Sequence, residues 1–99
     1  MRRGTFTIEK RPRGLWVYRD GDAIHGWNAV GPRDAAHVIL LELVGGRASY
    51  VLAEGLVRDL RRSDPRAWDR EIVTWPAERI AAYAALAGIR PAFDGEHTT

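Results

Sequence analysis

The stretch HGWNAVGPRDAAHVILLELVGG, residues 25–46, passes from one structural pattern to another without a linker. Its first residues are mixed in polarity, which is typical of a half-exposed strand. From Ala35 onward apolar residues fill most positions, and only His37 and Glu42 interrupt them before two glycines close the run. Because proline suits a first helical turn and glycine suits a helix end, the sequence predicts a largely buried helix over 32–44.

Upstream of this helix, three short segments are alternating in polarity or rich in aromatic and β-branched residues, as strands are. They are separated by a turn at 11–14 and by the sequence Asp-Gly-Asp, in which Asp-Gly tolerates the positive φ angles of a tight hairpin. The predicted strands cover residues 5–10, 15–19 and 23–28. Three strands with close connections predict an antiparallel meander over 1–30.

Downstream, two further helices are predicted, over 49–62 and 76–87. The first is amphipathic, with leucines four residues apart, and the second begins at a proline and ends before a glycine. The connection at 63–75 has two interpretations, because it could open a short helix at its Asp-Pro step or be extended at EIVTW.

The predicted fold class is α+β: an N-terminal three-stranded antiparallel sheet followed by three helices, in a winged-helix-like order. The whole chain, 1–99, is expected to be a single domain, because its length suits one modest core. Its helical part is predicted to cover 31–90, and a tail at 91–99 is expected to be mobile.

The amino-acid composition excludes several classes of function. The chain has no cysteine, so disulfides and thiol catalysis are excluded and a cytoplasmic location is expected. No apolar run reaches the roughly 18 residues of a membrane span, and the basic N-terminus lacks the apolar block of a signal peptide. Residues 1–33 carry a charge of +4 (seven basic, three acidic) and residues 34–99 carry −2 (eight basic, ten acidic). This asymmetry suits either an anionic partner or a solubilising surface.

Residue patterns that carry catalysis are missing from the sequence. His25, His37 and His97 have no ligand spacing to one another or to a suitable carboxylate, so no metal site is predicted. The glycines do not form a phosphate-binding loop, and neither Ser49 nor Ser63 has the context of an activated nucleophile. The sequence therefore predicts a binding protein without a cofactor and not an enzyme.

Several short motifs recur in the order of one known family. An aromatic residue followed by asparagine ends strand three, an alanine pair and an aliphatic run form the next helix, and a glycine break precedes helix two. In this chain the corresponding residues are Trp27, Asn28, Ala35, Ala36, Ile39, Leu40, Leu43, Gly45, Gly46 and Arg47. Residues 24–89 resemble the PqqD-like family, the RiPP recognition elements that bind leader peptides of ribosomally made natural products. Ala84, where the family has leucine, departs from the pattern that ends with Gly88.

The resemblance implies a function in peptide binding, in which a precursor leader adds to strand three and is presented to modifying enzymes. An exposed edge strand has unpaired N–H and C=O groups that an extended peptide can complete. In the family the guest lies along strand three, in a groove against helix three. The residues that the resemblance assigns to this groove are Ile24, His25, Gly26, Trp27, Asn28, Arg79, Ile80, Tyr83 and Ala87. The implied partners are the precursor leader peptide and a leader peptidase or modifying enzyme, as in a lasso-peptide pathway, without a membrane.

A different function class stays open. Residues 4–27, followed by a helix, also look like the three-stranded DNA-binding domain at the front of tyrosine integrases. In that interpretation the contacts to DNA would be Arg11, Arg13, Trp16 and Arg19. It leaves residues 49–99 without a role. A small inhibitor that docks on a host protein through the same strand edge is a third hypothesis.

Overall fold

The fold is built on a four-stranded antiparallel sheet. The structure is a computed structural model that describes residues 4–24 and 29–89. The strands are β1 (Thr5–Arg11), β2 (Gly14–Arg19), β3 (Asp22–Ala23) and β4 (Ile72–Pro76). Their order across the sheet is β3-β2-β1-β4, so β1 is central and β4 returns to it from far along the chain.

The predicted α+β class, with strands before helices, is confirmed, while the predicted sheet of three strands is corrected to four. The additional strand, β4, lies in the segment for which the sequence left two interpretations. Both are present in the structure, because a short 3-10 helix covers Ala67–Asp69 and the extended part forms β4. Val73 and Trp75 are buried and their neighbours are exposed, which is the alternation of a strand with one face on the core. Pro76 stands at the end of this outer strand, where a missing N–H breaks no ladder bond.

Only part of the predicted third strand lies within the described residues. Within the described residues β3 is only Asp22–Ala23, and residues 25–28 of the predicted strand lie outside them. Ala29 then makes an isolated bridge with Leu15, whereas Ala23 pairs with Tyr18. The two registers differ by three residues, because the paired numbers sum to 44 and 41 respectively.

Three helices follow the first three strands: α1 (Pro32–Val44), α2 (Tyr50–Ser63) and α3 (Ala77–Leu86). They agree with the predicted helices to within one residue at each end. Gly45, at φ 64°, ends α1 in a conformation that side chains with a Cβ rarely adopt. Ser49 is the N-cap of α2, since its hydroxyl accepts a hydrogen bond of 3.1 Å from the N–H of Leu52. In the described ranges no helix combines the length and the apolar character needed to cross a membrane.

The core lies between one face of the sheet and the helices. The sheet contributes alternate residues of β1, β2 and β4 to it, and α1 contributes seven of its 13 residues. The largest fully buried side chains are Trp75, Phe6, Ile8, Ile39, Leu40, Leu43, Leu56 and Ile80. All three helices and the sheet therefore share one core.

Gly55 lies inside α2, where glycine is an unfavourable residue, and the reason is its contact with α3. A Cβ atom at this position would lie only 1.9 Å from the hydroxyl oxygen of Tyr83. The missing side chain thus lets the Tyr83 ring rest against α2. Glycine lowers the helix propensity at this position but allows close packing between α2 and α3.

We expect Gly55→Ala to destabilise the protein even though alanine favours a helix by about 1 kcal/mol. The new methyl group must displace Tyr83, and such overpacking costs about 1–3 kcal/mol. In a Tyr83→Phe background, which removes the obstructing oxygen but keeps the ring carbon at 3.1 Å, the same change should cost less. Denaturant unfolding of the four proteins in this double-mutant cycle measures the coupling. Equal effects of Gly55→Ala in both backgrounds would contradict the contact.

Candidate functional site

The hairpin of β2 and β3 sets the direction of every backbone group at one edge of the sheet. Arg19 pairs with Asp22 across a two-residue turn, and both turn residues, Asp20 and Gly21, have positive φ angles of 52° and 89°. This is the type I′ geometry that the Asp-Gly sequence predicts. At the next hydrogen-bonded pair of the hairpin, Ile24 donates its N–H to the carbonyl of Val17 at 2.9 Å.

Ala23 is the described residue of β3 that faces outward. In an antiparallel ladder the residues alternate between pointing their N–H and C=O groups inward and outward. Because Ile24 bonds inward to Val17, its neighbour Ala23 presents both backbone groups to the open edge. Strand β3 is the outermost strand on this side, so these groups are the template that an added strand would use.

A groove of about 470 Å³ lies beside this edge, between the β2–β3 hairpin and α1. On its α1 side it has an apolar wall, formed by Val38 and Leu41. Ile24, half-buried against the core, belongs to the opposite side. The full lining is Arg19, Asp20, Asp22, Ala23, Ile24, Val38, Leu41 and Glu42. The edge thus combines backbone groups with a cavity large enough for a side chain.

The groove has a net negative charge, because three carboxylates face one guanidinium. Arg19 forms an ion pair of 3.3 Å with Glu42 of α1, and its guanidinium also lies 5.4 Å from the ring of Phe6. Asp20 accepts a hydrogen bond of 2.9 Å from the N–H of Thr5. Asp22 makes no side-chain hydrogen bond or ion pair with the described residues, so its charge is uncompensated. The electrostatic field of the groove therefore favours a cationic group.

The predicted residues of α3 do not lie in this groove. Arg79 donates hydrogen bonds to Asp59 at 3.3 Å and to Ser63 at 2.8 Å, both on α2. Ile80 is fully buried in the core, and Ala87 is exposed just beyond the end of α3. Because β4, which leads into α3, lies at the opposite edge of the sheet from β3, the helix beside Ile24 is α1. Ile24 therefore shares its groove with α1, and the predicted residues of α3 are not among the lining of that groove.

The remaining predicted residues, His25, Gly26, Trp27 and Asn28, lie outside the described residues. Of the predicted site, the structure therefore places Ile24 at the groove and directs Arg79, Ile80 and Tyr83 towards α2 and the core. Ala23 and Glu42, which line the groove, were not predicted as site residues. The sequence does contain a signal for Ala23, because a type I′ turn that pairs residues 19 and 22 leaves the backbone of the following residue facing outward.

The residues of the DNA-binding hypothesis are divided between the two faces of the sheet. Arg11 lies on the outer face, 4.7 Å from the ring of Trp16, where it pairs with Glu9 and with the hydroxyl of Tyr18 at 2.7 Å. Arg19 lies on the other face, paired with α1. Arg11 is thus neutralised by its own strand, and the four predicted contacts do not form one basic surface.

Ion pairs on the surface shift the pKa of some side chains. The hydrogen bond to Glu9 raises the pKa of Arg11, and Arg70 lowers the pKa of Asp64 through a hydrogen bond of 2.6 Å. Both pairs lie on the surface and away from the groove. Among residues 4–24 and 29–89, no group of three or more His, Asp or Glu side chains is arranged to hold a metal ion.

Comparisons of the chain with protein-family models, curated proteins and solved structures found no match.

Because Ala23 and Ile24 point their N–H groups in opposite directions, proline should destabilise the protein by different amounts at the two positions. Ile24→Pro removes the N–H that bonds to Val17 and leaves a carbonyl unpaired, so we expect a loss of about 1–3 kcal/mol in the free energy of unfolding. Ala23→Pro removes an outward N–H that no described residue uses, and it should cost much less. Thermal or denaturant unfolding of both variants, with Ile24→Val as the matched control, measures the difference. A larger loss for Ala23→Pro would reverse the assigned register.

Proposed function

We propose that this protein binds an extended peptide by strand addition at the edge of β3. The observation that carries the proposal is the outward N–H and C=O of Ala23 beside a side-chain groove. Strand addition needs both features, since backbone pairing gives affinity and pockets for alternate side chains give selectivity. The guest of this proposal is the leader of a ribosomally synthesised precursor, as the resemblance to the PqqD-like family implies.

In this function the protein acts by binding and not by turnover. It captures the leader in the cytoplasm and presents the precursor to a leader peptidase or a modifying enzyme. The guest lies antiparallel or parallel to β3, with one side chain directed into the groove against Val38 and Leu41 of α1. The apolar wall suits the stem of a long side chain, and the carboxylates of Asp22 and Glu42 suit a positive charge at its end.

The nucleic-acid alternative has weaker support. A DNA-binding sheet needs several unpaired cations on one face, because neutralised phosphates supply most of the affinity. Here Arg11 is paired with Glu9, and Arg19 is paired with Glu42 on the other face.

Selection from a displayed library of random peptides should yield binders with dissociation constants in the micromolar range, on the order of −8 kcal/mol. Ala23→Pro should reduce the affinity of a selected synthetic peptide at least about tenfold, because it removes the donor at the open edge. Ala23→Val, which keeps the N–H, is the matched control and should bind normally. Fluorescence anisotropy of the labelled peptide gives each constant. Unchanged binding to Ala23→Pro, or equally tight binding of duplex DNA with a steep salt dependence, would refute the proposal.

The charge of the groove should appear in the sequences of the selected peptides. We expect an excess of lysine or arginine at one position, and replacing that residue by glutamine should weaken binding. Asp22→Asn should weaken binding of the basic peptide about two- to fivefold, as expected for one partly exposed ion pair, and should leave the glutamine peptide unaffected. Asp69→Asn, which changes an exposed carboxylate outside the groove, is the control. Selected peptides without a basic preference would place the guest elsewhere.

A further inference from the structure

The groove beside β3 has two chemically different ends. At the end nearest the hairpin turn, Arg19 pairs with Asp22 across the ladder and forms its ion pair of 3.3 Å with Glu42 of α1. Ile24 lies two residues further along β3 and packs against the core, and Val38 precedes Glu42 by one turn of α1. The groove is therefore acidic towards the turn and apolar away from it.

The acidic end has room for one more positive charge. Arg19 is the only cation among the described residues that line the groove, and it faces the carboxylates of Asp20, Asp22 and Glu42. Glu42 also lies in the last turn of α1, and that turn has no basic side chain. Because the carboxyl end of a helix has a partial negative charge, it adds to the attraction for a cation at this end.

The register of an added strand determines which of its side chains reach the groove. Ala23 directs its N–H and C=O to the open edge, so an antiparallel guest places one residue in a hydrogen-bonded pair with it. The two neighbours of that guest residue stand opposite Asp22 and Ile24, in pairs without hydrogen bonds, where side chains approach most closely. Asp22 and Ile24 share the face of their β2 partners, Arg19 and Val17, and this is the face that α1 covers. Both guest neighbours therefore direct their side chains towards the groove.

We propose that the guest strand is antiparallel to β3 and carries an apolar residue followed, two positions later, by lysine or arginine. This inference rests on the strand addition proposed above and adds the sequence pattern that the edge selects. Since β3 runs from Asp22 to Ile24, an antiparallel guest meets Ile24 first, so its apolar residue comes before its basic residue. The apolar side chain packs against Ile24 and Leu41, and the cation lies among the carboxylates. The guest residue between them points to the outer face of the sheet.

The geometry of the edge favours the antiparallel direction and a strict spacing. One antiparallel guest residue uses the N–H and the C=O of Ala23 together, whereas a parallel guest needs two residues for the same bonds, in a slightly less stable pairing. Two strand residues span about 6.8 Å and one helical turn about 5.4 Å, so guest side chains two positions apart reach the two ends of the groove. A shift by one residue would turn both side chains to the outer face.

Selection from a displayed library of random peptides tests the pattern. Peptides whose binding is lost with Ala23→Pro should share an apolar residue two positions before lysine or arginine. In one synthetic peptide of this set, exchanging the apolar and basic residues should weaken binding at least about tenfold, because each side chain then meets the wrong end. Exchanging the basic residue with the residue before it should have a similar effect, because the cation then points to the outer face. Fluorescence anisotropy gives each dissociation constant. Equal binding of these three peptides, which have one composition, or selection of the reversed order, would overturn the proposal.

A variant of the protein assigns the acidic end. Asp22→Lys leaves two cations and two carboxylates in the groove, so selection on this variant should no longer enrich a basic residue and should still enrich the apolar one. Asp69→Lys, which changes an exposed carboxylate outside the groove, is the matched control and should select both residues. If Asp22→Lys fails to unfold cooperatively, Asp22→Asn takes its place. An undiminished basic preference in the Asp22 variant would contradict the assignment.

The same experiments separate this pattern from strand addition itself. Binders that require the N–H of Ala23 but lack the apolar and basic pair would refute the pattern and leave strand addition in place. Binders that are unaffected by Ala23→Pro, or a library that yields no binder, would refute both.

Discussion

The double-sided pairing of β1 is the constraint on which the rest of the structure depends. Its residues alternate between bonding to β2 and bonding to β4, and the same alternation sends Phe6 and Ile8 into the core. Once this strand is placed, the direction of each backbone group in the sheet follows. The outward groups of Ala23 at one edge and of Thr74 at the other are therefore properties of the central strand as much as of the edges themselves.

The two edges of the sheet differ in charge. Asp20 and Asp22 flank the β3 edge, so pairing between two copies there would bring like charges together. Strand β4 has no charged side chain between Ile72 and Pro76, so its edge has no comparable charge.

The elements that the sequence predicted are those with local signals. Pro32 begins α1, the glycine after Val44 ends it, and Ser49 caps the start of α2. Each of these signals depends only on residues next to it in the sequence. Strand β4 was left open because its pairing depends on β1, more than 60 residues away. The groove beside Ile24 was not predicted for a related reason: α1 is apolar on most sides, so the pattern does not reveal that Val38 and Leu41 face the hairpin. From its residue type alone Arg79 is expected to be solvated, and only the packed structure shows its hydrogen bond to α2.

The pairing of Phe6 with Trp75 has a consequence for how the chain is made. During synthesis the meander emerges from the ribosome first, but one side of β1 has no partner until residue 76 has left the exit tunnel. Throughout that interval the nascent chain exposes an unpaired central strand and the apolar face that β4 and the helices later cover. Such surfaces are prone to aggregation, and long-range pairing of this kind forms slowly. Folding yield in the cell should therefore depend on translation rate and on chaperones that bind extended apolar segments, more than the small size of the domain implies.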